Sequence, residues 1–447
     1  MATIEYSHLN SKGLYIYPCD PLIPENDLRL LYSPMARKAV WINSETAINL
    51  EFGKKVDEKL QTAFNILSDF VPLKNRTGKV RNVEDYPLLT VLPNQNCNLN
   101  CSYCYSKQVR SNMKLDFVQL KTAIDFFIEK KEKPLSISFM GGGEPMLSWQ
   151  TVSNGILYAK EKAGLQNIPI DFTIITNGTI MTEDMLNFIH DHRINTSISF
   201  DIIEEIQNKQ RGEYDKVVDT INQLILKNVI PQINATITPD NVNQMEEMYD
   251  VLDSRFPQIT KMMFEPVTSV ALFPKVNNLD VFLKKYADNY LKIDLKARSK
   301  NKSLTSFPYL RTVFPVERAC AGEFCITAEG KISGCYCITT KKDPGHEKMI
   351  YGKLSEKKGK VFIKKDIFKN ILNDNVYSQK KCDACVVKWN CGGGCFFIRN
   401  LYSDEYQDVF CNFTRNFVQR VILRKFERKY NEQYSEDIQL NHQILEY

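Results

Sequence analysis

Histidine is scarce: there are five in 447 residues. Imidazole therefore cannot be the main ligand chemistry of this chain. There is no run of about 18 apolar residues, which excludes an apolar spanning helix. The first residues, Met1-Ala2-Thr3-Ile4-Glu5, carry no signal-peptide pattern. Neither sign of charge dominates. The net charge of +5 is spread along the sequence, so nucleic acid is not indicated and an acidic peptide is tolerated as a partner. These absences predict a cytoplasmic protein. In that reducing compartment, 13 cysteines read as metal ligands rather than disulfides.

What is present is ordinary for a globular enzyme: 43% hydrophobic and 25% charged residues. The length suggests two to three domains and a core that needs no covalent staples. The cysteines are not ordinary. Three lie at 97–104 and nine at 320–411, with Cys19 apart. The first group is Cys97-x3-Cys101-x2-Cys104, reached directly from the apolar run Leu88-Leu89-Thr90-Val91-Leu92. That reads as a buried strand delivering three thiolates on the loop at its C-terminal end. Structural zinc and saturated iron–sulfur sites take four protein ligands. Three suggest a 4Fe–4S cluster with one iron open to a ligand that is not protein.

Residues 1–85 form a first unit. Gly13–Pro18 and Lys38–Asn43 read as strands. A helix follows with Ser44 as its cap, and Asp57–Phe70 is a second, with Leu60, Phe64, Ile66, Leu67 and Phe70 as its apolar set. This is a small α/β unit, and 74–84 reads as a linker. From 86 to 270 strands and helices alternate. The strands are 88–92, 135–139, 171–176, 196–200, 231–236 and 262–266; helical periodicity falls near 115–131, 148–163, 182–191, 213–227 and 241–253. The alternation predicts a parallel sheet covered by helices, either a doubly wound sheet or a partial (β/α)6 TIM-like barrel. The loops favour the barrel. The cysteine triplet, Met140-Gly141-Gly142-Gly143-Glu144-Pro145, Thr176-Asn177-Gly178 and Phe200-Asp201 follow successive strands, and a barrel brings such loops to one face.

Residues 271–318 read as a bridge, with a helix at 279–291 and a basic, serine-rich solvated surface at 293–303. Residues 319–447 are cysteine-dense: Cys320, Cys325, Cys335 and Cys337, then Cys382-x2-Cys385-x5-Cys391-x3-Cys395, then Cys411. Gly330, Gly334 and Gly392–Gly394 allow the backbone to wrap closely. A helix is expected from Phe413 to Tyr430. Alone, the 382–395 run fits a zinc knot. Without Cys337, the whole region holds eight cysteines, enough for two four-thiolate clusters. The glycine run is by itself only a turn after a strand; with Glu144 beside it, an ammonium group has a carboxylate to meet.

The triplet with Tyr103 inside it, followed by Gly142-Gly143-Glu144-Pro145, resembles the radical S-adenosylmethionine superfamily. The 320–411 pattern is similar to that superfamily's SPASM auxiliary-cluster domain, and together the two likenesses span about residues 88–430. The resemblance implies three 4Fe–4S clusters and S-adenosyl-L-methionine. Cys97, Cys101 and Cys104 would hold the catalytic cluster, and Gly142, Gly143 and Glu144 the methionine amino group. Ser199 and Asp201 would face the ribose, Arg211 the carboxylate, and the Tyr103 backbone the adenine. The family's usual His-Asp shortly before this Arg is absent. Cys320, Cys325, Cys335 and Cys395 would hold the first auxiliary cluster, and Cys382, Cys385, Cys391 and Cys411 the second, leaving Cys337 and Cys19 spare. One electron, from a flavodoxin or ferredoxin, would cleave the sulfonium and generate a 5′-deoxyadenosyl radical that abstracts a substrate hydrogen.

Such enzymes mostly act on peptides. The expected function is installation of a side-chain cross-link, thioether or carbon–carbon, on a ribosomally made precursor with a leader. Formylglycine formation on sulfatases and peptide epimerisation are the alternatives. The sulfatase branch places an Asp after the cysteine matching Cys335; here Tyr336 stands there. The stretch Arg37–Ala47 and the helix after it resemble a winged-helix-like element that captures a leader by strand addition.

Overall fold

The computed structural model describes residues 6–18, 27–71, 73, 80–129, 133–355, 359–434 and 442–446. Cys19 and residues 74–79 of the expected linker lie outside them.

Six parallel strands form the centre: β4 (Leu88–Val91), β5 (Leu135–Phe139), β6 (Ile170–Thr176), β7 (Asn195–Ser199), β8 (Gln232–Ile237) and β9 (Lys261–Pro266), each hydrogen-bonded to the next. Helices connect them and cover the sheet, the partial-barrel arrangement. Their starts are written locally. Asp116 accepts from the amides of Val118 and Gln119 at the head of Phe117–Ile128, and Thr182 accepts from Met185 at the head of Glu183–Asp191.

The sheet continues at both ends. β10 (Ser303–Thr305) lies parallel to β9. β11 (Phe324–Ile326) lies parallel to β4 and starts an antiparallel run through β12 (Lys331–Ser333), β13 (Ile350–Leu354) and β14 (Val361–Ile363). The cysteine-rich part is thus stitched onto the strand that delivers the triplet: Cys325 stands opposite Thr90. One apolar core runs through both parts.

The 293–303 run is a solvated helix face only in part: Leu295, Ser299, Lys300 and Asn301 are exposed, whereas Ile293, Ala297 and Lys302 are buried. The helix Val276–Ser299 continues through most of it, and β10 begins at its end. Its cations are paired: Lys296 with Asp250 at 2.5 Å, Arg298 with Asp294 at 2.8 Å, and Lys302, only 8% exposed, with Asp253 at 2.6 Å. The helix expected at 413–430 runs from Asp404 to Tyr434.

The N-terminal unit is an antiparallel sheet of β1 (Tyr15–Pro18), β2 (Leu28–Ser33) and β3 (Lys38–Asn43), followed by helices Ser44–Glu51 and Glu58–Ser68. β3 alternates faces, as a strand buried on both sides must. Ala39 and Trp41 pack with Val418, Ile422 and Phe426 of the Asp404–Tyr434 helix. Val40 and Ile42 pack with Leu50, Leu60 and Leu67. Two local expectations are corrected. Asn43, not Ser44, caps the first helix, accepting from Thr46 N at 2.8 Å, because the Ser44 hydroxyl is engaged by Asp27. Ile66 is 37% exposed; the buried stripe of the second helix is Leu60, Ala63 and Leu67.

Candidate active site

The loop after β4 and the glycine loop after β5 are locked together. Gly143 N donates to Asn94 O at 3.0 Å and Glu144 N to Asn96 O at 2.8 Å. The Asn94 side-chain amide donates to Glu144 O and to Ser148 Oγ, both at 2.9 Å. A Cβ on Gly143 would lie 1.9 Å from Asn96 O, and Gly142 has φ +111°. Both glycines thus admit the cysteine loop itself.

Glu144 is 3% exposed. Its Oε1 accepts from Thr176 Oγ1 at 2.5 Å and Met146 N at 3.1 Å, and its Oε2 from Asn177 N at 2.8 Å. Burial raises its pKa, and these donors and Arg211 pull it back. A carboxylate takes about four donors, so Oε2 has capacity for one more on the cavity side.

Tyr103 is clamped. Its hydroxyl donates to Asp201 Oδ2 at 2.7 Å and accepts from Arg211 Nη1 at 2.7 Å. Asp201 is fully buried, and its other oxygen accepts from Thr236 N at 3.0 Å. Burial opposes the Arg211 charge; Tyr103, Asp201 and Cys101 outweigh it and hold the guanidinium charged. Ser199, Tyr103 and Arg211 line the cavity, whereas Asp201 stands behind Tyr103. Ser102 N donates to Gln210 O at 2.9 Å, tying the cysteine loop to the segment carrying Arg211.

The thiols have polar company. Ser106 Oγ lies 3.2 Å from Cys104 Sγ, Arg110 Nη2 donates to that sulfur at 3.5 Å, and Asn177 Nδ2 to Cys97 Sγ at 3.9 Å. Burial raises the thiols of Cys97 and Cys101. Among the other cysteines the structure brings two groups together. Cys320 lies open to the cavity yet is surrounded by protein, which pushes its thiol up to about 12, with Glu323, Cys335 and Cys395 adding to it. Cys325 is raised by burial, Glu323 and Cys335. Burial pushes Cys382 up to about 11, and Cys391, Cys385 and Cys411 add to that. Cys337 sits against Cys335 in the first group. Among the described residues, no three Cys, His, Asp or Glu side chains are gathered tightly enough for a single metal ion.

This donor set fits iron–sulfur clusters. The raised thiols of Cys97, Cys101, Cys320, Cys325, Cys382, Cys395 and Cys411 resist ionisation alone, and a strongly cationic centre makes thiolates of such groups. Glu144 and Arg211, one acidic and one basic group on one wall, fit an amino-acid end that carries both charges.

A cavity of about 770 Å³ runs from the triplet to both cysteine groups, lined by Cys97, Cys101, Cys104, Cys320, Cys335, Cys337, Cys382, Cys385, Cys391, Cys395 and Cys411. Cys325 lies behind the wall, fully buried. Tyr105 and Tyr336 stand between the triplet and Cys335 with rings edge to face, centroids 6.1 Å apart. Tyr105 is 39% exposed, and that exposure is to the cavity.

Two further carboxyls line the cavity and lie outside every motif. Glu265, near the C-terminal end of β9, is pushed up to about 8 by burial, opposed by its bond from Phe307 N at 2.7 Å and by Arg311. Glu323 is pushed up to about 7 by burial, and its Oε2 has no hydrogen-bond partner. Glu265 was findable: it stands near a strand's C-terminal end, as the other site residues do. Glu323 carried no comparable signal. Thr176 and Asn177 lie in a loop the sequence marks without a role for either, and Arg110, just beyond the cysteine loop, carries no mark.

A sequence profile of the radical SAM superfamily matches residues 91–252. A cysteine-type anaerobic sulfatase-maturating enzyme of Clostridium novyi is 24% identical over 352 residues, 71% of this chain and 90% of that one. The radical SAM cyclopropyl synthase TigE of Paramaledivibacter caminithermalis is 24% identical over 199 residues, 40% of this chain and 41% of its own. The solved structure of native anSMEcpe with bound AdoMet and Cp18Cys peptide superposes with a TM-score of 0.60 at 17% identity, covering 76% of this chain and 98% of the other.

Proposed function

We propose that this chain, a radical SAM enzyme of the SPASM type, installs a side-chain cross-link on a ribosomally made precursor peptide. One observation carries the reading: a single cavity joins the Cys97–Cys104 loop to both C-terminal cysteine groups. A substrate inside it lies within reach of all three. Two relatives are described as a sulfatase-maturating enzyme and a cyclopropyl synthase, and a similar fold holds a peptide.

Cys97, Cys101 and Cys104 would hold a 4Fe–4S cluster with S-adenosylmethionine on its open iron, which supplies a carbon radical able to take hydrogen from an unactivated carbon. The remaining capacity of Glu144 Oε2 suits the ammonium of the methionine end. Arg211, held charged by Tyr103 and Asp201, suits its carboxylate, and Ser199 stands where the ribose would lie. Asp201 is a positioning residue, since both its oxygens are engaged by Tyr103 and Thr236. Asn177, Ser106 and Arg110 orient the sulfurs of Cys97 and Cys104. Cys320, Cys325, Cys335 and Cys395, and separately Cys382, Cys385, Cys391 and Cys411, would each hold a further 4Fe–4S cluster, whose chemistry is to accept an electron from the oxidised substrate. A flavodoxin or ferredoxin would supply the starting electron. Tyr105 and Tyr336 line the path between the triplet and Cys335. Glu265, which keeps its proton up to about pH 8, lines the same cavity.

The test is anaerobic incubation with dithionite, S-adenosylmethionine and each short peptide whose reading frame neighbours this gene. A product lighter by two hydrogens, with 5′-deoxyadenosine formed in step, supports the reading; an unchanged peptide contradicts it. The nearly full-length likeness to the sulfatase-maturating enzyme favours a second reading, formylglycine formation. A Cys-containing sulfatase peptide turning into an aldehyde would select it.

A further inference from the structure

Cys337 is the cysteine that the triplet and the two four-thiol groups leave over among the described residues. It does not stand apart from them. Cys320, Cys335, Cys337 and Cys395 all line the cavity, whereas Cys325, fully buried in β11, lies behind its wall. The Cys337 thiol is hydrogen-bonded with that of Cys335 and has Cys395 and Glu323 beside it. Cys335, Cys395 and Glu323 are also the ionisable neighbours of Cys320. Cys320 and Cys337 thus face the same three groups.

The two thiols are held differently. Cys337 sits in the turn 335–338, closed by Ile338 N donating to Cys335 O at 3.0 Å. The fully buried Ser333 backs this turn: its hydroxyl accepts from Cys335 N at 3.1 Å and donates to Ile338 O at 2.6 Å. Main chain therefore sets where Cys337 stands. Cys320 lies in a segment with neither helix nor strand. Its neighbours are tied, Ala319 N to Gly392 O at 2.7 Å and Tyr86 OH to Ala321 O at 2.8 Å. Its own side chain is the one exposed thiol among the described cysteines. Cys325, by contrast, is fixed in the ladder between β4 and β12. A spare thiol is often no more than packing, but packing does not account for one that lines the cavity in contact with Cys335.

We propose that Cys337 is an alternate ligand of the first auxiliary cluster, exchanging with Cys320 for one iron. This rests on the reading of that cysteine group as a cluster site given above. The exchange needs no oxidant or reductant. The bond from iron to the Cys320 sulfur breaks, the bond to the Cys337 sulfur forms, and Cys320 takes up the proton that Cys337 gives up. Cys320, Cys325, Cys335, Cys337 and Cys395 then serve about four irons, and in either arrangement one thiol of the exchanging pair is left facing the cavity. Cys325 takes no part, because a thiol on the cavity wall does not reach the place behind it.

The test uses the full chain with Cys97, Cys101 and Cys104 changed to Ala as parent, so that all cluster iron is auxiliary. Each protein is reconstituted anaerobically and reduced with dithionite. Its iron is counted and its electron paramagnetic resonance spectrum recorded with and without cyanide, which binds an iron lacking a thiolate. Cys320→Ala, a change at an exposed side chain, should keep about eight iron atoms and a spectrum that cyanide leaves alone, because Cys337 fills the place. Cys337→Ala should behave the same way, with Cys320 in place. The double variant should lose about four iron atoms or gain a cyanide-shifted signal. An open iron or the loss of a cluster in Cys320→Ala alone overturns the proposal. So does a double variant that matches the parent, or a parent that cyanide already shifts. If the double variant does not melt cooperatively, Cys320→Ala decides by itself. A parent without iron refutes the reading of the cysteine groups as cluster sites; a parent with about eight iron atoms whose Cys320→Ala form opens an iron refutes this proposal alone.

Discussion

Gly143 and Asn96 touch through backbone: any Cβ on Gly143 would stand 1.9 Å from the Asn96 carbonyl oxygen. No rotamer relieves that contact, because both partners are main chain. Gly143→Ala should push the cysteine loop away from Glu144. The expected result is at least a hundredfold fall in 5′-deoxyadenosine formation, with iron dropping from about twelve to about eight per chain. Activity within twofold of wild type would show that the two loops need not be locked.

Tyr103 bridges Arg211 and Asp201 through one hydroxyl. Tyr103→Phe leaves a buried carboxylate and a buried guanidinium without that bridge, which should cost about 1–3 kcal/mol of stability. Affinity for S-adenosylmethionine should fall too, because Arg211 is no longer fixed. Thermal melting and a binding titration measure the two effects. An unchanged affinity would remove Arg211 from the carboxylate site.

Glu265 gives a pH dependence. Its carboxyl is held at about 8 by burial, against 4.5 for an unperturbed glutamate. Between those values the folded state keeps a proton that the unfolded chain has lost. Its contribution to stability is therefore fully present below about pH 4.5 and is lost as pH rises to about 8. Glu265→Gln should match wild type near pH 4.5 and exceed it at pH 8 by on the order of 1–2 kcal/mol in denaturant melts. Parallel curves would show that Glu265 ionises normally.

Cys325 and Cys391 fall in different groups. Each changed to Ala should remove about four iron atoms while leaving cleavage of S-adenosylmethionine measurable, because neither belongs to the triplet. Loss of all iron from either variant would mean that the groups assemble only as a unit.

Much of this fold is legible locally. The six barrel strands fall within one residue of the apolar runs that predict them, because each run is bounded by turn residues and followed by an amphipathic stretch. Asp116 and Thr182 mark helix starts through their own side chains. What was not legible depends on distant partners. β15 (Leu445–Glu446) is two residues long and becomes a strand only because β3 lies beside it. Within the basic stretch 293–303 the burial of Lys302 is not legible, because its partner Asp253 comes from another helix. Within the site, the cysteine loop and Glu144 stand out as motifs. Glu265 and Glu323 do not, because the groups that meet them, Phe307 and Arg311 at Glu265 and the Tyr336 backbone at Glu323, are remote from them in sequence.

The central claim is that Cys97, Cys101 and Cys104 hold the cluster that splits S-adenosylmethionine. The most direct measurement is 5′-deoxyadenosine formed under anaerobic, reducing conditions by the variant with all three changed to Ala. None above the protein-free background is expected, with about eight iron atoms per chain retained. Continued formation at the wild-type rate would contradict it.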